Sequence, residues 1–146
     1  MNLEELEKRV QAIEDVEAIK KLHQKYMNLM DNLHYKEVLE LFTEDATAEI
    51  RNSGVKRGRK GLSEIYLGIG SLKKSRDVAH MAIQPDITVN ADNAVGTWLI
   101  YMFFFSPTVE WVQGRNDVEY RKENGIWKIS KLKFTRTLAS KPDMYP

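Results

Sequence analysis

Four residues of this sequence have side chains suited to moving a proton, and they are Tyr26, Asp31, His80 and Arg136. Histidine titrates near neutral pH, so it can take a proton from a carbon acid and return it to a leaving group. A carboxylate beside the imidazole fixes the tautomer and stabilises the imidazolium. A tyrosine hydroxyl donates to a developing oxyanion, and an arginine binds carboxylates. These residue types suit loss of water from a β-hydroxy carbonyl compound.

Tyr26 and Asp31 lie at the far end of the first predicted element. Apolar residues recur every three or four positions from Leu3 to Leu33, which predicts an amphipathic helix over residues 1–30 covered by a curved sheet. Five residues on a helix are about 140° apart, so Tyr26 and Asp31 converge only if the helix ends or bends between them. An aspartate opposes the negative end of the helix dipole, which favours a functional role for Asp31.

The middle of the chain predicts short elements. In order, they are a helix over 35–42 ended by residues 43–45, a strand over 47–51, a basic loop at 55–60, and a helix over 61–68 closed by Gly68 and Gly70. The basic run at 56–60 is interpreted as a solvated loop, with a phosphate or carrier contact as the less favoured alternative. It lacks the glycine-lysine-serine/threonine ending of a phosphate-binding loop.

The second half of the sequence predicts four strands. They cover residues 78–89, 94–105, 109–121 and 126–137, and turn residues separate them. Asn124-Gly125 is the strongest hairpin motif. Helices followed by a meander predict an α+β fold in a single domain over residues 1–146, and the last six residues are expected to form a loose tail or flap.

The period-two alternation of a strand indicates which polar groups face inward. Arg136 shares a face with Leu132 and Phe134, and His80 shares a face with its apolar neighbours at 78 and 82. The strand from Trp98 to Phe105 is apolar on both faces. We therefore expect one face of the sheet to be covered by helices and the other by a second subunit.

Composition excludes several classes of function. The chain has no cysteine, which excludes disulfides, thiolate metal sites and cysteine nucleophiles. Its net charge is +1, so no global field attracts nucleic acid or an anionic membrane. The longest apolar run is far shorter than the ~20 residues of a membrane helix. The acidic N-terminus does not fit a secretion signal, so we expect a cytoplasmic protein.

Several motifs in this order resemble a known superfamily. They are Tyr and Asp at the end of a long helix, a histidine early in VAHMAIQPDITVN, the strand GTWLI, the hairpin NGIWKI and an arginine near the end of the chain. This order is similar to the SnoaL-like branch of the nuclear-transport-factor-2-like (NTF2-like) superfamily, and within it to the bile-acid 7-alpha-dehydratases and, more distantly, scytalone dehydratase.

The resemblance implies a cone-shaped α+β barrel of cystatin-like type, with an active site formed by Tyr26, Asp31, His80 and Arg136. It implies no cofactor and favours a homotrimer, with a dimer as the alternative. A dehydrochlorinase of the superfamily has lysine at the position of Tyr26, which favours loss of water over loss of halide. The bile-acid enzyme has a further pocket tyrosine where this chain has Ile50, so the polar groups of the substrate are expected to differ.

The expected pocket is apolar and adaptable, and suits a flat polycyclic or aromatic ligand. Its predicted lining residues are Met27, Met30, Ile50, Met81, Met102 and Phe104. His23 and His34 are expected at the surface or its boundary. A single inward histidine with one aspartate does not make a metal site.

Three functions remain open from the sequence. The first is a dehydratase acting on a steroid-like or aromatic carbonyl compound, and the second is an isomerase or cyclase of ketosteroid-isomerase type. The third is a non-catalytic protein that binds a ligand or serves as a structural subunit, in which case Tyr26 and His80 are core residues and Arg136 a surface ion-pair partner.

Overall fold

Three helices pack on one face of a six-stranded sheet, and the predicted α+β fold class is confirmed. The computed structural model describes residues 1–73 and 75–141. Its elements are α1 (Leu3–Asp31), α2 (Tyr35–Val38), a 3₁₀ turn (Leu39–Leu41), β1 (Phe42–Glu49), β2 (Lys56–Arg57), α3 (Gly58–Leu72), β3 (Val78–Asn90), β4 (Asn93–Phe104), β5 (Glu110–Glu123) and β6 (Ile126–Ala139).

The sheet is mixed and curves around the helices without closing. Its strand order is β2-β1-β6-β5-β4-β3, so β2 and β3 are the edge strands. β1 pairs with β6 in parallel, and the other neighbouring strands pair antiparallel. The inner face of β3 to β6 packs on α1, and the core lies between them.

β1 corrects the sequence prediction for residues 42–46, and the strand predicted from residue 47 lies within it as far as Glu49. The predicted helix over 35–42 ends earlier, and the residues expected to terminate it lie inside β1. The reason is long-range pairing, because Phe42 is in register with Ile129 and Ala48 with Leu132. These contacts bury Phe42 and Ala48 and outweigh the local helical spacing.

The third helix is longer than the spacing predicts, and the two glycines expected to close it lie within it. Gly70 meets the ring of Tyr35, where an added Cβ would lie 2.8 Å from Cδ2. Glycine at this position therefore allows α3 to pack closely against α2.

The basic run at 56–60 is not a loop. Its first two residues form β2 and the others begin α3. Lys56 pairs with Glu64 at 2.9 Å, while Arg59 reaches Glu40 at 3.2 Å and Glu44 at 3.1 Å. Local acidic side chains therefore compensate these two basic residues.

The four strands of the second half lie within a few residues of their predicted bounds, and the predicted Asn-Gly hairpin is confirmed. Asn124 has φ 53° and Gly125 φ 77°. Two successive positive φ angles are typical of the type I′ turn, whose twist matches that of the flanking strands. The predicted tail falls on residues 141–146, of which 142–146 lie outside the described residues.

The sheet covers only the C-terminal part of α1, so the prediction that its whole apolar stripe is covered is wrong. Residues 1–14 are exposed, and the buried positions begin at Asp15.

The Asp15 carboxylate accepts hydrogen bonds from Trp127 Nε1 at 2.9 Å and from Lys122 Nζ at 2.8 Å. Burial raises the pKa of Asp15, but the bonds from Lys122 and Trp127 outweigh this effect and the net pKa is lowered. Asp15 thus attaches α1 to the β5–β6 hairpin.

The outer face of the sheet carries aromatic rings. Tyr101 lies 6.2 Å from Phe103 and 6.5 Å from Trp111 between ring centroids. The second subunit expected on this face stays a prediction.

Among the described residues, no helix is both long and apolar enough to cross a lipid bilayer.

Candidate functional site

A cavity that opens to solvent lies between the helices and the inner face of the sheet, and its space, counted together with solvent at its mouth, is about 460 Å³. Most of its lining is apolar, with a few polar groups, as is usual for sites that bind small organic molecules. The lining residues are Tyr26, Met27, Met30, Ile50, Arg51, Ile69, His80, Ile100, Met102, Asn116 and Phe134.

His80 and Asp31 form a short hydrogen-bonded pair beside this cavity. Asp31 is the last residue of α1, and its Oδ1 accepts from the His80 backbone N–H at 2.9 Å and from the ring Nδ1 at 2.7 Å. Each side chain is 14% exposed. Because an ionised carboxylate only accepts, Nδ1 carries a proton, and in the neutral form of the ring Nε2 then keeps its lone pair. The pair therefore presents a basic nitrogen whose tautomer is fixed.

The register of the sheet brings His80 to the cavity. His80 lies opposite Met102 on β4, and both side chains line the cavity. α1 continues through Tyr26 and Asp31, which project in different directions from it. Tyr26 lines the cavity directly, whereas Asp31 reaches it through His80.

Tyr26 shares a buried hydrogen bond with Tyr66 of α3, with 2.9 Å between the two hydroxyl oxygens. Tyr66 is fully buried and has no other hydrogen-bond partner in the described ranges. Either oxygen could donate in this pair, but Tyr26 lines the cavity and Tyr66 does not. We therefore assign the donor role to Tyr66, because its buried proton would otherwise have no acceptor, which is costly. The Tyr26 proton is then left for a ligand in the cavity.

Burial keeps both hydroxyls protonated. It raises the pKa of Tyr26 to about 12, although the bond from Tyr66 acts in the opposite direction. Burial and the neighbouring Tyr26 also raise the pKa of Tyr66 well above its ordinary value. Tyr26 is therefore a hydrogen-bond donor across the physiological pH range.

Sequence reasoning missed Tyr66, although a pattern for it exists. Leu62, Ile65, Tyr66 and Ile69 have the spacing of one helix face. The third helix was predicted too short for this face to be recognised as buried, and the face packs toward the cavity.

His23 is fully buried, which corrects its predicted place at the surface. Its ring stacks on Trp98 with 4.5 Å between centroids. Nδ1 lies 3.0 Å from the Tyr120 hydroxyl, and Nε2 lies 3.2 Å from the Asn116 amide. Burial lowers the pKa of His23 to about 3, so the ring is neutral. Its position three residues before Tyr26, on the same helix face, could have indicated this burial.

The depressed pKa of His23 predicts acid sensitivity. Below pH 6.5 the unfolded state binds a proton that the folded state excludes, so the free energy of unfolding falls by about 1.4 kcal/mol per pH unit as pH approaches 3. Urea unfolding at pH 6.5 and 5 should differ by about 2 kcal/mol from this group alone. His23→Gln should flatten the dependence, and His34→Gln at an exposed site should retain it. An unchanged slope in His23→Gln would contradict this account.

Two residues predicted for the pocket do not line this cavity. Met81 follows His80 on β3, so alternation directs it to the outer face, where it is 45% exposed. Phe104 is buried near the end of β4, in register with Val78 and beneath the Lys73 ammonium. The other four, which line it, are Met27, Met30, Ile50 and Met102.

The predicted arginine lies farther along the sheet than the cavity lining. Arg136 is half-buried on the inner face of β6, two residues after Phe134. The described hydrogen bonds of Asp31 go to His80 rather than to Arg136. A different guanidinium, that of Arg51, lines the cavity. No pattern in the sequence indicates this position, because Arg51 lies in a turn with φ 57° beyond the end of β1.

A glycine allows Phe134 to reach the cavity. At Gly114, an added Cβ would lie 2.2 Å from Cε2 of the Phe134 ring. The ring therefore packs directly on the β5 backbone.

Within residues 1–73 and 75–141, no three His, Asp or Glu side chains converge as they would around a metal ion.

The fold is similar to that of several solved structures. An NTF2-like protein with a cystatin-like fold from Novosphingobium aromaticivorans has a TM-score of 0.80 and 22% identity, over 91% of this chain and 88% of that one. A candidate scytalone dehydratase from N. aromaticivorans DSM 12444 has a TM-score of 0.77 and 20% identity, over 88% and 87%. The hexachlorocyclohexane dehydrochlorinase LinA-type3 from Novosphingobium barchaimii LL02 has a TM-score of 0.78 and 15% identity, over 94% and 97%.

These structural likenesses show the fold, and a sequence-family match shows the family. No curated protein sequence matches the chain significantly. The model of the SnoaL-like domain matches residues 11–133, which include three of the four residues singled out for chemistry. The resemblance seen in the sequence is therefore confirmed, and the chain belongs to the SnoaL-like domain family.

Proposed function

We propose that this protein is a cofactor-independent lyase that eliminates water from a hydroxylated steroid-like or aromatic carbonyl compound. The observation that carries the proposal is the His80–Asp31 pair, which presents Nε2 beside an apolar cavity. A neutral imidazole in this setting is a general base. A non-catalytic protein would leave Asp31 and His80 free to lie apart, so the short contact between them supports a catalytic role.

In the proposed reaction, His80 Nε2 takes the proton from the carbon next to the substrate carbonyl. The electron pair of that C–H bond moves into an enolate, whose negative charge lies on the carbonyl oxygen. Asp31 stabilises the imidazolium that results. The enolate then collapses to the conjugated double bond as the C–O bond breaks, and His80 returns its proton to the departing hydroxyl, which leaves as water.

Tyr26 supplies the hydrogen bond that this charge movement needs. With Tyr66 as the donor in their shared hydrogen bond, the Tyr26 proton is free for a ligand. In a mostly apolar cavity, such a preorganised donor stabilises a developing negative charge better than it would in bulk water. Tyr26 therefore serves either the enolate oxygen or the departing hydroxyl.

The cavity walls support an apolar, flat substrate. Met27, Met30 and Met102 provide flexible thioether side chains, and Phe134 provides an aromatic face. Arg51 is exposed and also lines the cavity, so it lies on the open side. We propose that Arg51 and, farther along β6, Arg136 bind a carboxylate or another polar tail of the substrate.

Structural neighbours support an elimination reaction. Two of them are named for eliminations, one as a dehydratase and one as a dehydrochlorinase. The resemblance drawn from the sequence, in which a dehydrochlorinase has lysine at the position of Tyr26, favours water as the leaving group in this chain.

The test is a panel of β-hydroxy ketones on tetralone, decalone and steroid frameworks. Elimination produces an enone, whose ultraviolet absorbance gives the rate. Parallel reactions in D₂O, followed by proton NMR, detect exchange of the acidic C–H. Enone formation supports the proposal. Double-bond migration without water loss would replace it with an isomerase, and neither elimination nor exchange across the panel would reject it.

Tyr66→Phe should reduce kcat by about 3- to 10-fold, the usual effect of one lost hydrogen bond. The reason is that the Tyr26 hydroxyl becomes a weaker donor when nothing donates to its oxygen. The pKa of Tyr26 should rise further, and ultraviolet titration of the phenol measures it. Tyr101→Phe, which removes a hydroxyl that Gln113 contacts on the outer face, is the matched control. An increase in kcat would show instead that Tyr26 donates to Tyr66.

A further inference from the structure

A second polar network ends at the floor of the cavity. Asn116 of β5 lines the cavity and is 2% exposed, and its Nδ2 is placed 3.2 Å from His23 Nε2. On the other side of the ring, Nδ1 lies 3.0 Å from the hydroxyl of Tyr120, which accepts from Trp98 Nε1 at 3.0 Å. In the part of the chain that the structure describes, these side chains have no other hydrogen-bond partners.

The number of protons in this network decides the direction of each bond. A neutral imidazole has one N–H, and the indole of Trp98 can only donate. The Tyr120 hydroxyl has one proton, and His23 Nδ1 is the acceptor within its reach. Tyr120 therefore donates to Nδ1, which leaves the ring proton on Nε2.

The opposite direction leaves a buried donor without an acceptor. If the Asn116 NH₂ group donated to Nε2, the ring proton would lie on Nδ1 and would point at Tyr120. The hydroxyl proton of Tyr120, which is 1% exposed, would then have no acceptor. This arrangement is costly, so the ring Nε2–H donates to the Asn116 oxygen.

A carboxamide exchanges its nitrogen and oxygen by a half-turn that moves no other atom, and hydrogen bonds decide which orientation is correct. We propose that His23 is a positioning residue that holds the Asn116 oxygen toward itself and the Asn116 NH₂ group toward the cavity. The floor of the cavity is then a hydrogen-bond donor rather than an acceptor.

This orientation selects the chemistry of the bound molecule. A donor at the floor fits a carbonyl oxygen and fits an enolate oxygen better, because its charge strengthens the bond. Tyr26, whose ring lies 5.7 Å from that of His23, is a second donor nearby. Asn116 thus binds the carbonyl oxygen, and Tyr26 is left to act on the departing hydroxyl. This assignment rests on the proposed function, whereas the orientation of the amide does not.

The orientation is tested on the wild-type protein without a ligand. In protein labelled with ¹⁵N at the imidazole nitrogens, the nitrogen shifts and their couplings to ring protons show which nitrogen of each histidine is protonated. The chain has three histidines, and His34→Gln and His80→Ala assign their signals by loss. We expect Nε2–H for His23 and the opposite tautomer, Nδ1–H, for His80. An Nδ1–H tautomer for His23 would overturn the proposal, whatever the protein catalyses.

The consequence for binding is tested with two aromatic probes that differ by one oxygen, 1-tetralone and tetralin. His23→Phe keeps a ring against Trp98 but releases the Asn116 amide. We expect the preference for 1-tetralone over tetralin to fall by about 5-fold in this variant, which corresponds to one hydrogen bond. Tyr101→Phe on the outer face should leave the preference unchanged. An equal loss of affinity for both probes in His23→Phe would show a merely structural role and would overturn the positioning role.

Discussion

His80→Ala is expected to lower kcat by about 10²- to 10⁴-fold, the usual contribution of a general acid or base. In the proposed reaction this ring both removes the proton and returns it, so no other group in the cavity replaces it. The melting temperature should change little, because the side chain lies at the edge of the cavity and Asp31 keeps its bond from the backbone N–H of residue 80. Single-turnover formation of the enone gives the chemical rate.

The exposed His34 provides the matched control for this experiment. His34→Ala removes the same type of side chain from a surface turn and should leave kcat unchanged. If His80→Ala retained full activity with a normal melting temperature, another group would be the base. A loss of activity that only paralleled a loss of folded protein would point to a core role for His80.

Asp31→Asn is expected to reduce kcat by a similar order, about 10²- to 10⁴-fold. The amide is neutral, so it cannot stabilise the imidazolium that forms when His80 takes a proton. It can also turn its NH₂ group toward His80 Nδ1, which would favour the tautomer with the proton on Nε2 and block the base. Substrate binding should be less affected, because Asp31 reaches the cavity only through His80.

Asp92→Asn, in the exposed turn between β3 and β4, is the control for the loss of one carboxylate. The double variant His80→Ala/Asp31→Asn adds a sharper test. Because Asp31 acts through His80, the double variant should be no slower than His80→Ala alone. Multiplication of the two effects would show that Asp31 has a separate role in the reaction.

Much of this fold follows from local patterns in the sequence. α1 and the four long strands have strong periodicity, and Asn124-Gly125 fixes a turn by backbone chemistry. β1 could not be predicted in the same way, because the parallel pairing of Phe42 with Ile129 joins residues far apart in the chain. Local helical spacing at residues 35–42 therefore predicted a helix that runs too far, and the strand predicted from residue 47 begins at Phe42.

The candidate site was predictable where residue type and position agree. Tyr26 and His80 combine reactive side chains with inward-facing positions, and both line the cavity. Tyr66 and His23 were missed because their importance comes from their partners, which the spacing of residues does not identify. The misplacement of Met81 had a simpler cause, since alternation with His80 already directs it outward.

The uninterrupted course of α1 has a consequence for what the protein can select. Tyr26 and Asp31 are separated by five residues of one helix, which is about 7.5 Å along its axis, and hydrogen bonding within the helix makes that length stiff. In the proposed reaction the substrate lies between the Tyr26 hydroxyl and the His80 ring that Asp31 holds, and it must match their separation with its own oxygen and acidic carbon, because the helix keeps Tyr26 and Asp31 at a fixed spacing. Ring size and substitution pattern, rather than overall hydrophobicity, should therefore decide which compounds are turned over efficiently.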